Sequence, residues 1–434
     1  MSSYSDRTPG SARLFSRAKA CFPDGITHVG RYLEPYPLFV SHAKGPRKWD
    51  VDGNEYVDYF GGHGALLLGH CHPEVNAAVA RQVERGAHFG ASHELEVEWA
   101  ELIREMVPSA GKVRFTSSGT EATHLAMRLA RAYTGKPKVV RFLSHFHGWH
   151  DHVAFGEQGG PGILPGITEG AILCRPHDVE QVREVCASRS DVAAIILEPT
   201  GATFGQVPCS GDVLRQLREI ATAAGVLLIF DEVISGFRVS PGGAQAHYGV
   251  TPDMTTLAKI LAGGYPGAAV AGRADVFEPL NYRGEGESLL GPRVPHQGTF
   301  NASPVSAAAG IATLRILRDT DAVEKANRTA ETIRAALNEV CRRKGSPWCV
   351  YGEFSAFHIF TGGATPEDIY AGKVPYTALK GGTPLALTQR IRSGFLAEGV
   401  DLTGWPGGLV SSAHGEAEVE ATVKALEAVI DAVG

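Results

Sequence analysis

The segment Val226-Leu227-Leu228-Ile229-Phe230 is a continuous apolar run that leads directly into Asp231-Glu232-Val233. An apolar run of this length without alternation is typical of a parallel strand that is buried on both faces. Open α/β sheets bind their ligands at the carboxyl ends of such strands, where Asp231 would lie. A carboxylate at that position is costly to bury unless a cation or a hydrogen-bond donor meets it. The segment therefore predicts an α/β fold with Asp231 at a ligand site.

A lysine follows this strand after a turn-rich passage. Lys259 lies between Thr255-Thr256-Leu257-Ala258 and the flexible pair Gly263-Gly264, where partial burial would lower the pKa of its amine. An aspartate that pairs with a pyridinium nitrogen and a lysine that forms a Schiff base are the two anchors of a pyridoxal phosphate enzyme. Taken singly, Asp231 could equally cap a helix and Lys259 could be a solvated surface residue. The pair must therefore be judged with its surroundings.

The composition is that of an ordinary soluble α/β protein. Of the 434 residues, 44% are hydrophobic and 20% are charged, and 52 are glycine. The net charge of −6 argues against nucleic acid or an anionic membrane as a partner. No apolar run approaches the length of a membrane span, and the N-terminus lacks the apolar core of a secretory signal. The seven cysteines are scattered without a C-x-x-C pair, which predicts reduced thiols and a cytoplasmic protein.

Strands and helices alternate through the middle of the chain, which predicts a mainly parallel sheet. Polar residues follow the predicted strands: Ser118 to Thr120, then Phe146 and His147, then Glu198, and finally Asp231. Because parallel strands end at the same edge of a sheet, we expect these residues to meet in one crevice. The strands are predicted at Lys112–Thr116, Val139–Leu143, Ala193–Leu197 and Val226–Phe230.

A helix is predicted to start immediately after the first of these strands. Ser118 and Glu121 have the spacing of a capping box. The N-terminus of a helix offers unpaired backbone N–H groups, and Gly119 would let an anion come close to them. The motif indicates either a phosphate-binding site or a plain helix cap.

Four histidines occur within eight residues after the second strand, namely His145, His147, His150 and His152. Their spacing of 2, 3 and 2 does not match the helical H-x-x-x-H pattern of zinc sites. A metal hydrolase is one alternative. We predict instead no metal, and an aromatic and imidazole platform in which the Phe146 ring stacks on a planar ligand.

The two ends of the chain do not show the strand–helix alternation of the middle. Asp52-Gly53 between two alternating segments predicts a β-hairpin near the N-terminus. The last third is predicted to be a smaller α+β region that closes with a helix from Glu416 to Val433, and Gly362 to Gly382 to be a surface loop or lid. We therefore expect an N-terminal segment 1–60 that joins the small domain, a large ligand-binding domain 61–315 and a C-terminal small domain 316–434.

Five motifs follow one another along the chain. They are Ser117-Ser118-Gly119-Thr120-Glu121-Ala122, Phe146-His147-Gly148, Asp231-Glu232-Val233, Thr256-Leu257-Ala258-Lys259 and Gly298-Thr299-Phe300. In this order they resemble the class III aminotransferases of fold type I, and within them the branch that contains glutamate-1-semialdehyde 2,1-aminomutase. The resemblance covers almost the whole chain. It implies a large domain with a seven-stranded, mainly parallel sheet flanked by helices, and pyridoxal 5'-phosphate as cofactor.

The resemblance implies roles for residues around the cofactor ring. Lys259 would form the Schiff base and then shuttle a proton. Asp231 would keep the pyridine nitrogen protonated. Val233 and Phe146 would pack on opposite ring faces, and His147 and Glu198 would belong to the cofactor-binding set.

It also implies contacts at the edges of the site. Ser118, Gly119 and Thr120 would bind the phosphate. The loop with Thr299 would reach the active site of the neighbouring subunit, so a homodimer is expected. Arg31 would bind a substrate carboxylate, because a planar guanidinium suits that group.

The chain departs from the aminomutase pattern in three places. It has His63 where the aminomutases usually have Trp, and Gly404-Trp405-Pro406-Gly407-Gly408 where they have a glutamate. The segment Trp149 to Ile167 is shorter than their glycine-rich lid, which retains the intermediate. We therefore expect a pyridoxal phosphate-dependent aminotransferase that moves an amino group between a carboxylate-bearing amino acid, β- or otherwise non-α, and a keto acid. The alternatives are the aminomutase itself and a cofactor-binding protein that has lost catalysis.

Overall fold

The computed structural model describes residues 4–157, 159–282 and 293–433. The chain divides into two compact units. One combines Met1–Pro73 with Asp321–Gly434, and the other is Glu74–Thr320. We call them the terminal unit and the central unit.

The central unit contains a seven-stranded sheet, which confirms the predicted fold class. Five of its strands form a continuous parallel set from Met254–Leu257 to the far edge. Ala268–Gly272 runs antiparallel to both of its neighbours. In spatial order the strands are Lys112–Thr116, Ala268–Gly272, Met254–Leu257, Leu227–Glu232, Val192–Leu197, Lys138–Phe142 and Ala171–Cys174.

The central strand Leu227–Glu232 is buried at every position. Leu227 and Ile229 pack into a hydrophobic cluster on one face of the sheet, and Leu228 and Phe230 pack into another on the opposite face. Successive residues of a strand point to opposite faces, so both faces require apolar side chains here. This is why the segment shows no alternation, and each such buried side chain contributes about 1.5–3 kcal/mol.

Helices flank this sheet and connect its strands. The helix Gly119–Thr134 begins at Ser118, as predicted, because the Ser118 hydroxyl accepts a hydrogen bond from the Glu121 N–H. In a complete capping box the Glu121 carboxylate would accept from the Ser118 N–H. Here it accepts instead from the Ser117 N–H, at 2.8 Å. The α-helices are Pro73–Arg85, Glu94–Met106, Gly119–Thr134, Pro165–Thr168, Val179–Ser188, Ala202–Gly205, Gly211–Ala224, Gly243–Tyr248 and Pro304–Asp319, with 3-10 turns at Lys259–Ala262 and Asp275–Leu280 and a short strand at Val207–Pro208.

The terminal unit contains two small sheets and its own hydrophobic core. Arg47–Asp50 and Glu55–Asp58 pair antiparallel across the predicted turn, and with Val40–Lys44 and Val400–Asp401 they form a four-stranded sheet. Cys349–Tyr351, Ala356–Phe360 and Gly407–Leu409 form the other. The helices are Tyr4–Arg7, Pro9–Ala18, Gly61–Gly64, Ala322–Lys344, Pro366–Tyr370, Tyr376–Leu379, Leu385–Ala397 and Glu416–Val433, with 3-10 turns at Pro23–Gly25 and Val29–Arg31.

One prediction about the terminal unit is wrong in part. The stretch from Gly362 to Gly382, expected to be a surface loop or lid, contains the helices Pro366–Tyr370 and Tyr376–Leu379. The first begins with a complete capping box between Thr365 and Asp368, a signal that the abundance of turn-forming residues obscured. Within the described residues, none of the helices combines the length and the apolar composition needed to cross a membrane.

Candidate functional site

Asp231 lies buried at the carboxyl end of the central strand, where three groups surround its carboxylate. His147 Nδ1 lies 2.7 Å from Oδ2. The hydroxyl of Thr256 donates to Oδ1 at 3.0 Å, and the Val233 N–H donates to the same oxygen at 3.2 Å. Thr256 reaches this position because it pairs in register with Asp231 on the adjacent parallel strand. Asp231 is therefore neither a helix cap nor an isolated buried charge.

Lys259 follows that adjacent strand and has an unusual backbone. Its φ of +53° lies in the left-handed region, which costs a residue with a side chain about 1–2 kcal/mol. Burial lowers the pKa of its amine to about 8, against the opposing effect of the nearby Asp231 and Glu198 carboxylates. A strained backbone and a lowered lysine pKa at one residue indicate a functional amine rather than a solvated surface lysine.

The start of the helix Gly119–Thr134 packs directly against this site. A Cβ atom built on Gly119 would lie 3.0 Å from the Val233 side chain and 3.6 Å from Ala258, the neighbour of Lys259. The Ser118 side chain accepts from the Glu121 N–H, whereas the N–H groups of Gly119 and Thr120 have no acceptor within the helix. The arrangement suits a phosphate group, because the N-terminus of a helix attracts anions.

The Phe146-His147-Gly148 motif contacts the same helix turn. Gly148 has a φ of +102°, and a Cβ atom there would lie only 2.2 Å from the Thr120 hydroxyl. The Trp149 N–H donates to that hydroxyl at 3.0 Å. Only glycine therefore permits this close approach between the loop and Thr120.

Glu198 fixes the backbone of the loop from the neighbouring strand. Its Oε1 accepts from the Phe146 N–H at 2.8 Å, and its Oε2 accepts from the Thr203 N–H at 3.0 Å. Its own N–H donates to His145 Nδ1 at 3.0 Å. Phe146 remains 63% exposed, so its side chain is accessible to a ligand.

The four clustered histidines have different hydrogen-bond partners. His147 contacts Asp231 and His145 contacts the Glu198 backbone. His150 Nε2 lies 3.2 Å from the Thr123 hydroxyl, and burial lowers the pKa of His150 to about 3 and that of His152 to about 4. In the part of the chain that the structure describes, no group of three or more His, Cys, Asp or Glu residues could hold a metal ion.

Two supporting residues escaped the sequence analysis. Thr256 was quoted in a motif without a role of its own, because its bond to Asp231 depends on strand register. The buried Glu232 accepts hydrogen bonds from the Ala244 N–H at 2.6 Å, from the Gln245 side chain at 2.9 Å and from Ser235 at 3.1 Å. Glu232 thus fixes the segment that follows Val233. The sequence offered one indication of this role, namely a second acidic residue directly after Asp231.

Thr299 and Arg31 are the remaining predicted site residues. Thr299 lies exposed in a turn of the central unit. Arg31 belongs to the terminal unit, where its guanidinium donates to the Thr27 hydroxyl at 2.6 Å. Their roles stay predictions.

The cluster of Lys259, Asp231 and the open helix turn is what a phosphorylated pyridine aldehyde requires. The site combines a buried acid, a lysine with a lowered pKa and a helix turn that can accept an anion. The family model of class-III aminotransferases matches residues 29–346. The chain belongs to the class-III aminotransferase family. Its cofactor is pyridoxal phosphate, as the motifs predicted.

Known proteins resemble this class-III aminotransferase along almost its whole length. The glutamate-1-semialdehyde 2,1-aminomutase of Ignicoccus hospitalis is 39% identical over 96% of this chain and 97% of its own. A crystal structure of an omega-transaminase from Sphaerobacter thermophilus is 34% identical, has a TM-score of 0.87, and is matched over 98% of this chain and 99% of its own. A transaminase with PLP bound is 32% identical, with a TM-score of 0.87 and 98% of both chains covered.

These comparisons correct the predicted activity. Seven curated relatives at 36–40% identity carry the name glutamate-1-semialdehyde 2,1-aminomutase. They favour the aminomutase alternative over transfer between a β-amino acid and a keto acid. The prediction relied on three departures from the aminomutase pattern, above all the short segment after Gly148, but retention of an intermediate depends on the free energy of the whole closed site. The length of one segment does not determine it.

Proposed function

We propose that this class-III enzyme is an aminomutase that converts glutamate 1-semialdehyde into 5-amino-4-oxopentanoate. The amino group moves from C2 to C1 and the oxo group moves in the opposite direction. The two compounds are isomers, so no external amine donor or acceptor is consumed. The observation that carries the proposal is the agreement of seven relatives over most of the chain.

Lys259 is the proposed proton carrier. Because its pKa is lowered to about 8, a substantial fraction of the amine is neutral in mildly alkaline solution, as attack on an aldehyde and proton abstraction both require. When bound, pyridoxal phosphate supplies an electron sink. The Asp231 carboxylate, held by His147 and Thr256, would face the ring nitrogen and favour its protonated form.

The remaining residues would orient the cofactor. The first turn after Ser118, with Gly119 and Thr120, would bind the phosphate through backbone N–H groups and the Thr120 hydroxyl. Val233 and Phe146 would contact opposite faces of the ring. His147 would act through Asp231.

Three further roles complete the proposal. Arg31 would bind the substrate carboxylate through paired hydrogen bonds. Thr299 would contribute to the active site of a neighbouring copy, so that the active unit is a homodimer. Glu198 would hold the Phe146 backbone, which is the contact that its carboxylate makes.

The decisive experiment supplies glutamate 1-semialdehyde alone. Purified enzyme loaded with pyridoxal phosphate should form 5-amino-4-oxopentanoate, measured by chromatography, with no added amine or keto acid. Lys259→Ala should abolish turnover, whereas Lys424→Ala, which alters an exposed lysine of the terminal unit, should retain it. Product formation that requires an added amino acid or keto acid would refute the aminomutase proposal. Size-exclusion chromatography with light scattering tests the dimer.

A further inference from the structure

One histidine joins the start of a helix to the turn that contains Thr299. His93 directly precedes the helix Glu94–Met106 of the central unit. Its Nδ1 accepts a hydrogen bond from the Glu96 N–H at 3.2 Å, and its Nε2 lies 2.8 Å from the carbonyl oxygen of Ala302. A carbonyl oxygen can only accept, so Nε2 donates and the neutral ring carries its proton there. Both nitrogens of His93 therefore bind a protein group.

Histidine is not the residue that a helix start alone requires. Serine, threonine, aspartate and asparagine are preferred there, because their short side chains reach the backbone N–H groups of the first turn. His93 satisfies one such group with Nδ1, and its second nitrogen reaches a residue 209 positions away. The helix cap therefore explains only one of the two contacts that this side chain makes.

The turn that His93 contacts is strained at one end and exposed at the other. Ala302 is buried and has a φ of +53°, a left-handed conformation that is unfavourable for a residue with a side chain. Such residues persist where their surroundings hold them, and they occur often at functional sites. Thr299 and Phe300, at the other end, are exposed. The bond from His93 thus fixes the buried end of a turn whose other end is accessible to a partner.

Aromatic contacts join the same two segments. The ring centroids of His88 and Phe300 are 5.5 Å apart, and those of Phe89 and His93 are 5.8 Å apart. All four rings belong to the central unit. The segment that precedes the helix therefore contacts the turn at Phe300 as well as at Ala302.

We propose that His93 is a positioning residue, which holds the turn 299–302 in the conformation from which Thr299 reaches the active site of a neighbouring copy. The inference rests on the proposed role of Thr299. A hydroxyl can donate a charge-assisted hydrogen bond to an anionic group such as the cofactor phosphate. The strength of that bond depends on distance and angle, so a turn that is fixed before binding raises the affinity for the cofactor.

Two substitutions of His93 separate its two hydrogen bonds. His93→Asn places an amide oxygen near Nδ1 and keeps the helix cap, but its side chain is too short to reach Ala302. His93→Gln places an amide N–H near Nε2 and keeps the bond to Ala302, but it loses the acceptor for the Glu96 N–H. Fluorescence titration of each full-length apo-protein with pyridoxal phosphate measures the cofactor affinity.

The two variants should differ in affinity for pyridoxal phosphate. His93→Asn should bind it about fivefold more weakly than the wild type, a factor of the order that one hydrogen bond contributes. His93→Gln should bind it within about twofold of the wild type, because the bond to Ala302 remains. Unchanged affinity in His93→Asn, or an equal loss in both variants, would overturn the inference.

Removal of the Thr299 hydroxyl distinguishes positioning from a general structural role. Because His93 acts through the turn, the double variant of His93→Asn with Thr299→Val should lose no more affinity than Thr299→Val alone. Additive losses would show that His93 acts elsewhere and would overturn the inference. If either variant at His93 does not fold, a crystal structure of the wild-type holoenzyme decides. Thr299 against the cofactor of the neighbouring copy, with Ala302 bonded to His93, supports the inference, and a turn detached from His93 overturns it.

The titrations also separate this inference from the proposed function. Unchanged affinity in Thr299→Val would overturn the proposed role of Thr299, and the inference with it. A loss in Thr299→Val without a loss in His93→Asn would overturn the inference alone. Neither result depends on which substrate the enzyme converts, so the failure of the aminomutase proposal is detected only by product formation from glutamate 1-semialdehyde.

Discussion

Gly148→Ala should damage the proposed phosphate site far more than an ordinary glycine substitution. The left-handed backbone costs a residue with a side chain about 1–2 kcal/mol. In addition, the new Cβ atom would lie 2.2 Å from Thr120 Oγ1 and 2.8 Å from the Thr120 Cα atom. A side-chain rotation cannot relieve the backbone contact, and overpacking of this kind costs about 1–3 kcal/mol more. The expected total loss of folding free energy is about 2–5 kcal/mol.

Gly135→Ala is the matched control. Gly135 also has a positive φ, of +68°, at the end of the same helix, but nothing lies within 4 Å of a Cβ atom built there. Gly135→Ala therefore measures only the free-energy cost of the left-handed backbone, about 1–2 kcal/mol. Urea denaturation of both apo-proteins gives the difference, and fluorescence titration with pyridoxal phosphate gives the affinities.

Only the variant at Gly148 should lose cofactor affinity, by tenfold or more, because the loop and Thr120 must separate. Gly135→Ala should bind the cofactor as the wild type does. The reasoning is refuted if both variants are equally destabilised, or if Gly148→Ala keeps the wild-type affinity.

Three other substitutions test separate parts of the structure. Lys259→Met should remove a pH dependence of the free energy of unfolding. In the folded protein the pKa of Lys259 is about 8, below the ordinary value of 10.5. Between pH 8 and 10.5 the unfolded chain therefore binds the proton more tightly than the folded chain, so the stability of the wild-type apo-protein rises with pH. The difference between the two urea midpoints should therefore change across that window, and a constant difference would contradict the lowered pKa. Glu232→Gln should lower the free energy of unfolding by about 1–3 kcal/mol, because the amide presents N–H groups to backbone donors. The control Glu420→Gln, at an exposed position, should lower it little. Equal unfolding midpoints in the two variants would contradict the role of Glu232. Lys48→Met should destabilise the protein by about 3–5 kcal/mol. Lys48 is buried between Asp58 and Asp401, and its removal takes away the cation that both carboxylates share. If calorimetry shows no fall in the unfolding temperature, this role of Lys48 is wrong.

The sequence determined the elements whose cause is local. The run before Asp231 had to be buried on both faces, and the structure shows it as the central strand. Ser118 supplied a helix start that depends only on residues within four positions. The terminal helix has the predicted bounds, Glu416–Val433. Burial patterns and caps act over a few residues, so one sequence suffices to read them.

The tertiary structure decided what depends on residues far apart in the chain. Thr256 supports Asp231 only because two strands pair in one register. His145 Nδ1 accepts a hydrogen bond from the Glu198 backbone, 53 positions away, and Lys259 adopts a left-handed backbone in the turn after its strand. Hydrogen bonds of this kind depend on distances of a few tenths of an ångström between separate elements. Local propensity carries no information on such distances, whereas the packing of the sheet fixes them.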